Sequence, residues 1–262
     1  MSGALGQYES MSGNRSPSDV LRDTYEYRAE LEYPRPLPQP DRRTHRKLFR
    51  ILDLVEPLLP CRSLLDAGCG DGLYLEAIGR RAERLVGTDI SERILETARK
   101  TAARSGAEPE LVRANLESLP FPDRSFDVVL CTQVIEHLLA PEKGVRELAR
   151  VLRPGGTLVI TTDNSRNLVS RTLNAPRNAA VALLGLRGRR LNVHFPHAAF
   201  SPKEFVEMVE ATGLRPERVA TFRFHLEWPF DRPRAQRLLN RLEDALPRTH
   251  RFGDIVTVVA RG

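Results

Sequence analysis

A chain of 262 residues with 41% apolar and 28% charged side chains can build one large packed domain, alone or with extensions. Its net charge of +6 is dispersed among interleaved acids, which permits an anionic partner without demanding one, and no basic stripe with aromatics points to nucleic acid. Cys61, Cys69 and Cys131 are spaced too widely for a zinc or C-x-x-C pattern, and without a signal peptide or a bilayer-length apolar run the chain reads as cytoplasmic and reduced.

Residues 1–40 are rich in Ser, Gly, Tyr and Pro and close on Pro34-Arg35-Pro36-Leu37-Pro38-Gln39-Pro40. Alternating prolines exclude helix and favour extended backbone. Residues 1–18 read as disordered, and Asp19 to Tyr33 as a short helix whose tyrosines pack on the domain surface or cap a ligand pocket. From Asp41 to Leu59 a helical stripe of Leu48, Ile51, Leu52 and Val55 follows, ended by Pro60.

Next comes Leu64-Leu65-Asp66-Ala67-Gly68-Cys69-Gly70-Asp71-Gly72, on which the reading turns. An apolar run ends in an acid, glycines alternate, and Leu73, Leu75 and Ile78 resume at helical spacing, which predicts strand, tight turn and helix. Such glycines let the backbone approach a ligand, and a helix start offers unpaired N–H groups. Two ligand classes use this turn. The dinucleotide fingerprint G-x-G-x-x-G sets pyrophosphate on the helix start. Here the third glycine, Gly72, comes one position early, and Asp66 would repel a pyrophosphate while suiting a cationic amino group.

Leu85 to Ile90 reads as a second strand, ending in an acid, Asp89, at the distance where such folds meet ribose hydroxyls. Asp89 also stands where it can cap a helix beginning near Ser91. Leu111–Ala114 is the third strand, followed by a loop through Phe121, and Ser125–Thr132 is a fourth, with the continuous apolar run of a buried parallel strand. Gln133 to Leu138 leads into a helix over Pro141–Leu152, which Arg153-Pro154-Gly155-Gly156 stops before a fifth strand at Thr157–Thr162. Residues 163–200 are longer than a connection needs. They hold a predicted helix, Leu168 to Leu186, with arginines among leucines, valines and alanines, a pattern that also suits peripheral membrane contact over 166–191. Ser201 caps a helix from Pro202 to Thr212-Gly213, and strands at Val219–His225 and Ile255–Ala260 flank a helical Arg234–Leu246.

The glycine turn, together with Leu119-Pro120-Phe121, Phe126-Asp127-Val128-Val129, Glu136-His137-Leu138 and Leu152-Arg153-Pro154-Gly155-Gly156, resembles the class I S-adenosylmethionine (SAM)-dependent methyltransferases. The likeness is to the small-molecule type, such as the ubiquinone/menaquinone-biosynthesis and natural-product O-methyltransferases, and is strong over about residues 45–162. It implies an α/β, Rossmann-like seven-stranded fold, mostly parallel with a final antiparallel strand. The methyltransferase domain would cover 41–262, after a partly disordered extension over 1–40, with 163–200 as a lid-like insertion over the acceptor. It also implies SAM as cofactor. Asp66 would face its amino end through water, with Gly68, Cys69 and Gly70 along the turn, Asp89 and Ile90 at the ribose, and Asn115 and Leu116 at the adenine. Asn115 departs from the family's commoner Asp, though an amide oxygen still accepts. Cys131 and Gln133 would line the floor beneath the sulfonium.

Methyl transfer from a sulfonium is an in-line displacement whose main demand is alignment. A hydroxyl acceptor needs a base, and His137 past the fourth strand, oriented by Asp163 past the fifth, is the candidate pair. His194 and His197 are rival bases, and a hydrogen-bonded structural role for His137 is the alternative. No metal constellation stands out; Glu136, His137 and Asp163 come nearest to one. The expected activity is methyl transfer to a small or medium organic acceptor, at oxygen. Nitrogen methylation, a membrane-associated quinone or lipid acceptor, and non-catalytic SAM binding are the other readings. Nucleic-acid methylation is disfavoured because Cys131-Thr132-Gln133-Val134 lacks the Asn/Asp-Pro-Pro-aromatic motif.

Overall fold

The computed structural model of the protein describes residues 16, 19, 22, 23, 25, 26, 46–166, 198–222 and 253–262. Seven strands, β1 (Cys61–Ala67), β2 (Ala82–Asp89), β3 (Glu110–Arg113), β4 (Phe126–Thr132), β5 (Leu152–Asp163), β6 (Arg215–Phe222) and β7 (Ile255–Arg261), form one sheet in the order β3-β2-β1-β4-β5-β7-β6. The pairings among β1 to β5 are parallel, and β7 inserts antiparallel between β5 and β6. The expected antiparallel strand is therefore the last in sequence but not the last in space.

Among the described residues, helices α1 (Arg46–Val55), α2 (Leu73–Ile78), α3 (Glu92–Ala103), α4 (Pro141–Val151) and α5 (Pro202–Glu210) flank the sheet. Successive strand residues face opposite sides, and the central strands are apolar on both because both sides are covered. Leu65, Val129, Leu158 and Val258 share one core with Val145 and Leu148 of α4 and Phe205 of α5. Leu64, Val128, Leu130 and Val159 share the other with Ile51 of α1, Leu75 of α2 and Ala98 of α3. α5 starts as predicted, with a capping box in which Ser201 Oγ accepts from the Glu204 N–H and Glu204 Oε2 from the Ser201 N–H.

Two boundaries differ from the sequence reading, which runs the helix after the glycine turn to about Ala82 and sets Arg153-Pro154-Gly155-Gly156 as a separate turn before the fifth strand. The helix after the glycine turn is only six residues long and finishes in a 3-10 turn, Gly79–Arg81. β5 begins at Leu152, so Arg153-Pro154-Gly155-Gly156 is an irregular entrance to the strand and not a separate turn. It is held there by Arg153 Nη1 on Asp127 Oδ1 at 2.8 Å and by the Gly155 N–H on Gly262 O at 2.9 Å. The helices expected at Leu168–Leu186 and Arg234–Leu246, the membrane contact over 166–191, and His194 and His197 lie outside the described residues. No helix among the described residues is long and apolar enough to cross a membrane.

The strand order reverses direction between β1 and β4. In open α/β sheets a ligand lies outside the carboxyl ends of the strands at such a reversal. Asp66 near the end of β1 and Gln133 just past β4 sit at this point, with Asp66 aligned against Leu130.

Candidate active site

Asp66 has no exposed surface, and neither carboxylate oxygen has a hydrogen-bond partner among the described residues. Burial pushes its pKa up to about 8, and the neighbouring carboxylates of Asp71 and Asp89 add to the rise. A buried acid in this state is uncompensated, and a cation placed beside it would relieve the cost.

The glycine turn is not a phosphate cradle. Gly68 and Cys69 both donate their N–H to Thr88 O, at 2.8 and 2.7 Å, Gly70 donates to Asp89 Oδ2 at 3.2 Å, and Gly72 donates to Cys69 O at 3.0 Å. Even the Leu73 N–H, expected to be unpaired at the helix start, reaches Asp71 Oδ1 at 3.4 Å. With these donors taken and three acids gathered around the turn, the field favours a positively charged group over pyrophosphate. Gly72 (φ 81°) packs where a Cβ would stand 2.8 Å from Ala98 Cα of α3, whereas a Cβ on Gly70 (φ 53°) would meet nothing within 4 Å. Gly72 is therefore a packing glycine, whereas Gly70 leaves open space beside the turn.

Asp89, at the end of β2, accepts from the Gly70 N–H through Oδ2 and from the Ser91 N–H at 3.0 Å through Oδ1. Burial raises its pKa to about 6, against the lowering effect of those N–H groups. Asp89 does not cap α3. Ser91 does, its hydroxyl accepting from the Ile94 N–H at 3.2 Å. Ile90 follows, and its carbonyl accepts from Arg113 Nε at 3.2 Å.

Asn115 Oδ1 accepts from the Glu117 N–H at 2.9 Å, an Asx turn that shapes the loop after β3 and occupies one of the oxygen's two lone pairs. Leu116 is buried against α4. Two carboxylates that the sequence reading did not single out hold this loop. Glu117 Oε1 accepts from the Leu139 and Ala140 N–H groups at 2.9 and 3.0 Å, and Glu147 Oε2 accepts from the Leu119 N–H at 2.8 Å. Arg150 bonds Glu147 and the carbonyls of Leu119 and Phe121, and its guanidinium holds the Glu147 carboxyl below its ordinary range. Their only sequence signal was acids and an arginine at helical spacing, which usually marks a solvated face.

Past β4, Gln133 takes a left-handed conformation (φ 57°), and its N–H bonds Thr161 Oγ1 at 3.2 Å. Its buried Nε2 has no hydrogen-bond partner among the described residues. A non-glycine residue held at positive φ with an unmatched donor is the kind of local cost that functional sites retain. Cys131 and Cys69 are both buried, the first within a hydrophobic layer and the second in the turn. His137 ends the 3-10 turn Ile135–His137, and Asp163 ends the neighbouring strand β5. One residue before each, Thr162 Oγ1 donates to Glu136 Oε2 at 2.9 Å, locking the two strand ends together. Among the described residues no group of three His, Cys, Asp or Glu side chains is arranged to hold a metal ion.

This architecture is the Rossmann-like class I methyltransferase fold. Magnesium protoporphyrin IX methyltransferase from Synechocystis, solved with bound S-adenosylhomocysteine (SAH), superposes with a TM-score of 0.60 at 16% identity, over 93% of this chain and 98% of that one. Residues 65–160 match the family described as a methyltransferase domain. A ubiquinone biosynthesis O-methyltransferase from Idiomarina loihiensis is 34% identical over 58% of this chain and 61% of its own length. A probable S-adenosylmethionine-dependent methyltransferase from Mycobacterium tuberculosis is 38% identical over 47% of this chain and 42% of its own. The chain thus spans about three fifths or less of the length of these curated relatives.

Proposed function

We propose that the protein is a SAM-dependent methyltransferase that moves a methyl group to a hydroxyl oxygen of a small or medium organic acceptor. The observation that carries this reading is Asp66, a fully buried carboxylate with both oxygens unmatched among the described residues, at the strand-order reversal and beside an open glycine face. SAM brings an ammonium group for such an acid and an activated methyl on a sulfonium with a neutral leaving group. Asp66 takes the ammonium, Gly68, Cys69 and Gly70 let the backbone lie along the methionine part, and Asp89 with Ile90 takes the ribose. Asn115 offers its remaining lone pair and Leu116 its backbone N–H to the adenine. Gln133 and Cys131 line the floor beneath the sulfonium.

Aligning the acceptor oxygen behind the methyl carbon is the chain's main catalytic task. His137 takes the acceptor's proton, and Asp163 at the neighbouring strand end orients the imidazole. Oxygen as the acceptor atom is supported by the relatives named for ubiquinone biosynthesis, which also favour a second reading in which the acceptor is a quinone precursor. Titration calorimetry of the folded protein tests the core of the proposal. SAH is expected to bind with measurable heat and NADH is not. Heat from NADH alone would reverse the assignment.

A further inference from the structure

Two residues of the N-terminal stretch reach the site from outside the sheet. Glu26 lays its carboxylate on the start of α3, where Oε1 accepts from the Glu92 N–H at 2.8 Å and Oε2 accepts from Ser91 Oγ at 2.9 Å and the Arg93 N–H at 3.4 Å. These are groups that the helix itself cannot satisfy, and a carboxylate there is favoured both by charge-assisted hydrogen bonding and by the helix dipole. Ser91 is the shared node. Its hydroxyl serves Glu26 and Ile94, while its N–H serves Asp89, the acid assigned to the ribose.

The preceding residue, Tyr25, meets a different part of the site. Its ring stands edge-on to the His137 imidazole, with centroids 6.0 Å apart and planes at 70°. Consecutive helical residues point about 100° apart, so two adjacent positions of one helical turn touch the donor side with Glu26 and the acceptor side with Tyr25.

We propose that Glu26 is a positioning residue that pins the N-terminal stretch to α3, and that Tyr25, held by that pin, is the specificity-determining wall beside His137. An acceptor bringing its hydroxyl to the imidazole must pass the tyrosine ring, which limits its width on that side. The assignment of His137 to the acceptor side rests on the methyltransferase reading above; the pin itself does not.

The test uses the full-length protein and the reactivity of His137 toward diethyl pyrocarbonate, followed by peptide mass spectrometry, with SAH affinity measured in parallel. Glu26→Ala and Tyr25→Ala are each expected to speed His137 modification by about five- to tenfold, the scale of a lost helix cap. Tyr25→Phe, which keeps the ring, should stay within about twofold of wild type, and SAH affinity should stay within about threefold in all three variants. An unchanged His137 rate in both alanine variants, or a Tyr25→Phe rate equal to that of Tyr25→Ala, overturns the proposal. Should the wild-type protein bind no SAH, the methyltransferase reading falls, while the His137 rates still decide whether Glu26 and Tyr25 act as stated.

Discussion

At Asp66 affinity and stability are set against each other by one proton. The native carboxyl titrates near 8 and an unfolded Asp near 3.8, so between these values the folded protein holds a proton that the unfolded chain has lost. Stability of the ligand-free protein therefore falls as pH rises through this window. Asp66→Asn removes the ionisation, and its thermal transition at pH 8 is expected to lie ~3 °C or more above wild type, with the gap closing toward pH 5. The same substitution should weaken SAH binding. In wild type, that binding should tighten as pH approaches about 8, because an ammonium pairs only with the ionised acid. A variant no more stable at pH 8, in scanning calorimetry, would show that the acid is compensated in solution.

Of the three glycines in the turn between β1 and α2, Gly72 packs against α3 while Gly70 faces open space, which lets packing and the proposed binding face be tested separately. Gly72→Ala would drive a methyl into the backbone of α3, with Ala98 Cα 2.8 Å and Ala98 O 2.9 Å away. The expected cost is about 2 kcal/mol or more, from overpacking plus the positive φ. Gly70→Ala meets no such obstacle and should cost only about 1 kcal/mol of backbone strain, yet weaken SAH about tenfold or more by filling the open face. Denaturant melts and calorimetry on the two variants would separate the roles; equal effects on affinity would merge them. The loop after β3 follows a different principle. Its form comes from the Asx turn at Asn115 and from long-range carboxylate bonds, Glu117 reaching out to the Leu139 and Ala140 N–H groups while Glu147 and Arg150 of α4 bond the loop from across it.

Across the whole molecule, what could be read from the sequence was what is local. Asp66 and Asp89 each close an apolar run, and a strand ending in an acid is visible within a few residues. β5 was misread at its start because Pro154, Gly155 and Gly156 signal a break, whereas contacts from Asp127 and Gly262 draw the segment into the sheet. Asn115 was legible as a position but not as an Asx turn. Glu26 was invisible as a cap, since its partners lie 65 to 67 residues away and the short helix read over Asp19 to Tyr33 drew attention only to its tyrosines. After β5 the chain departs and returns at one place, beside the carboxyl end of that strand and the start of β7. The Ser165 N–H bonds Phe200 O at 3.0 Å, the Phe200 N–H bonds Asp163 O at 3.1 Å, and Asn164 bonds Gly253 O and Asp254 O, each at 2.7 Å. Replacing residues 167–197 by a short Gly/Ser linker should therefore leave a cooperatively melting protein that binds SAH within about threefold of the parent. Loss of the cooperative transition would show that the intervening stretch supports the sheet.

That closed neck at Asn164 and Phe200 fixes both ends of the interval between residues 166 and 198. A change of its length therefore need not be felt in β5 or β7, whose register is completed by their own pairing.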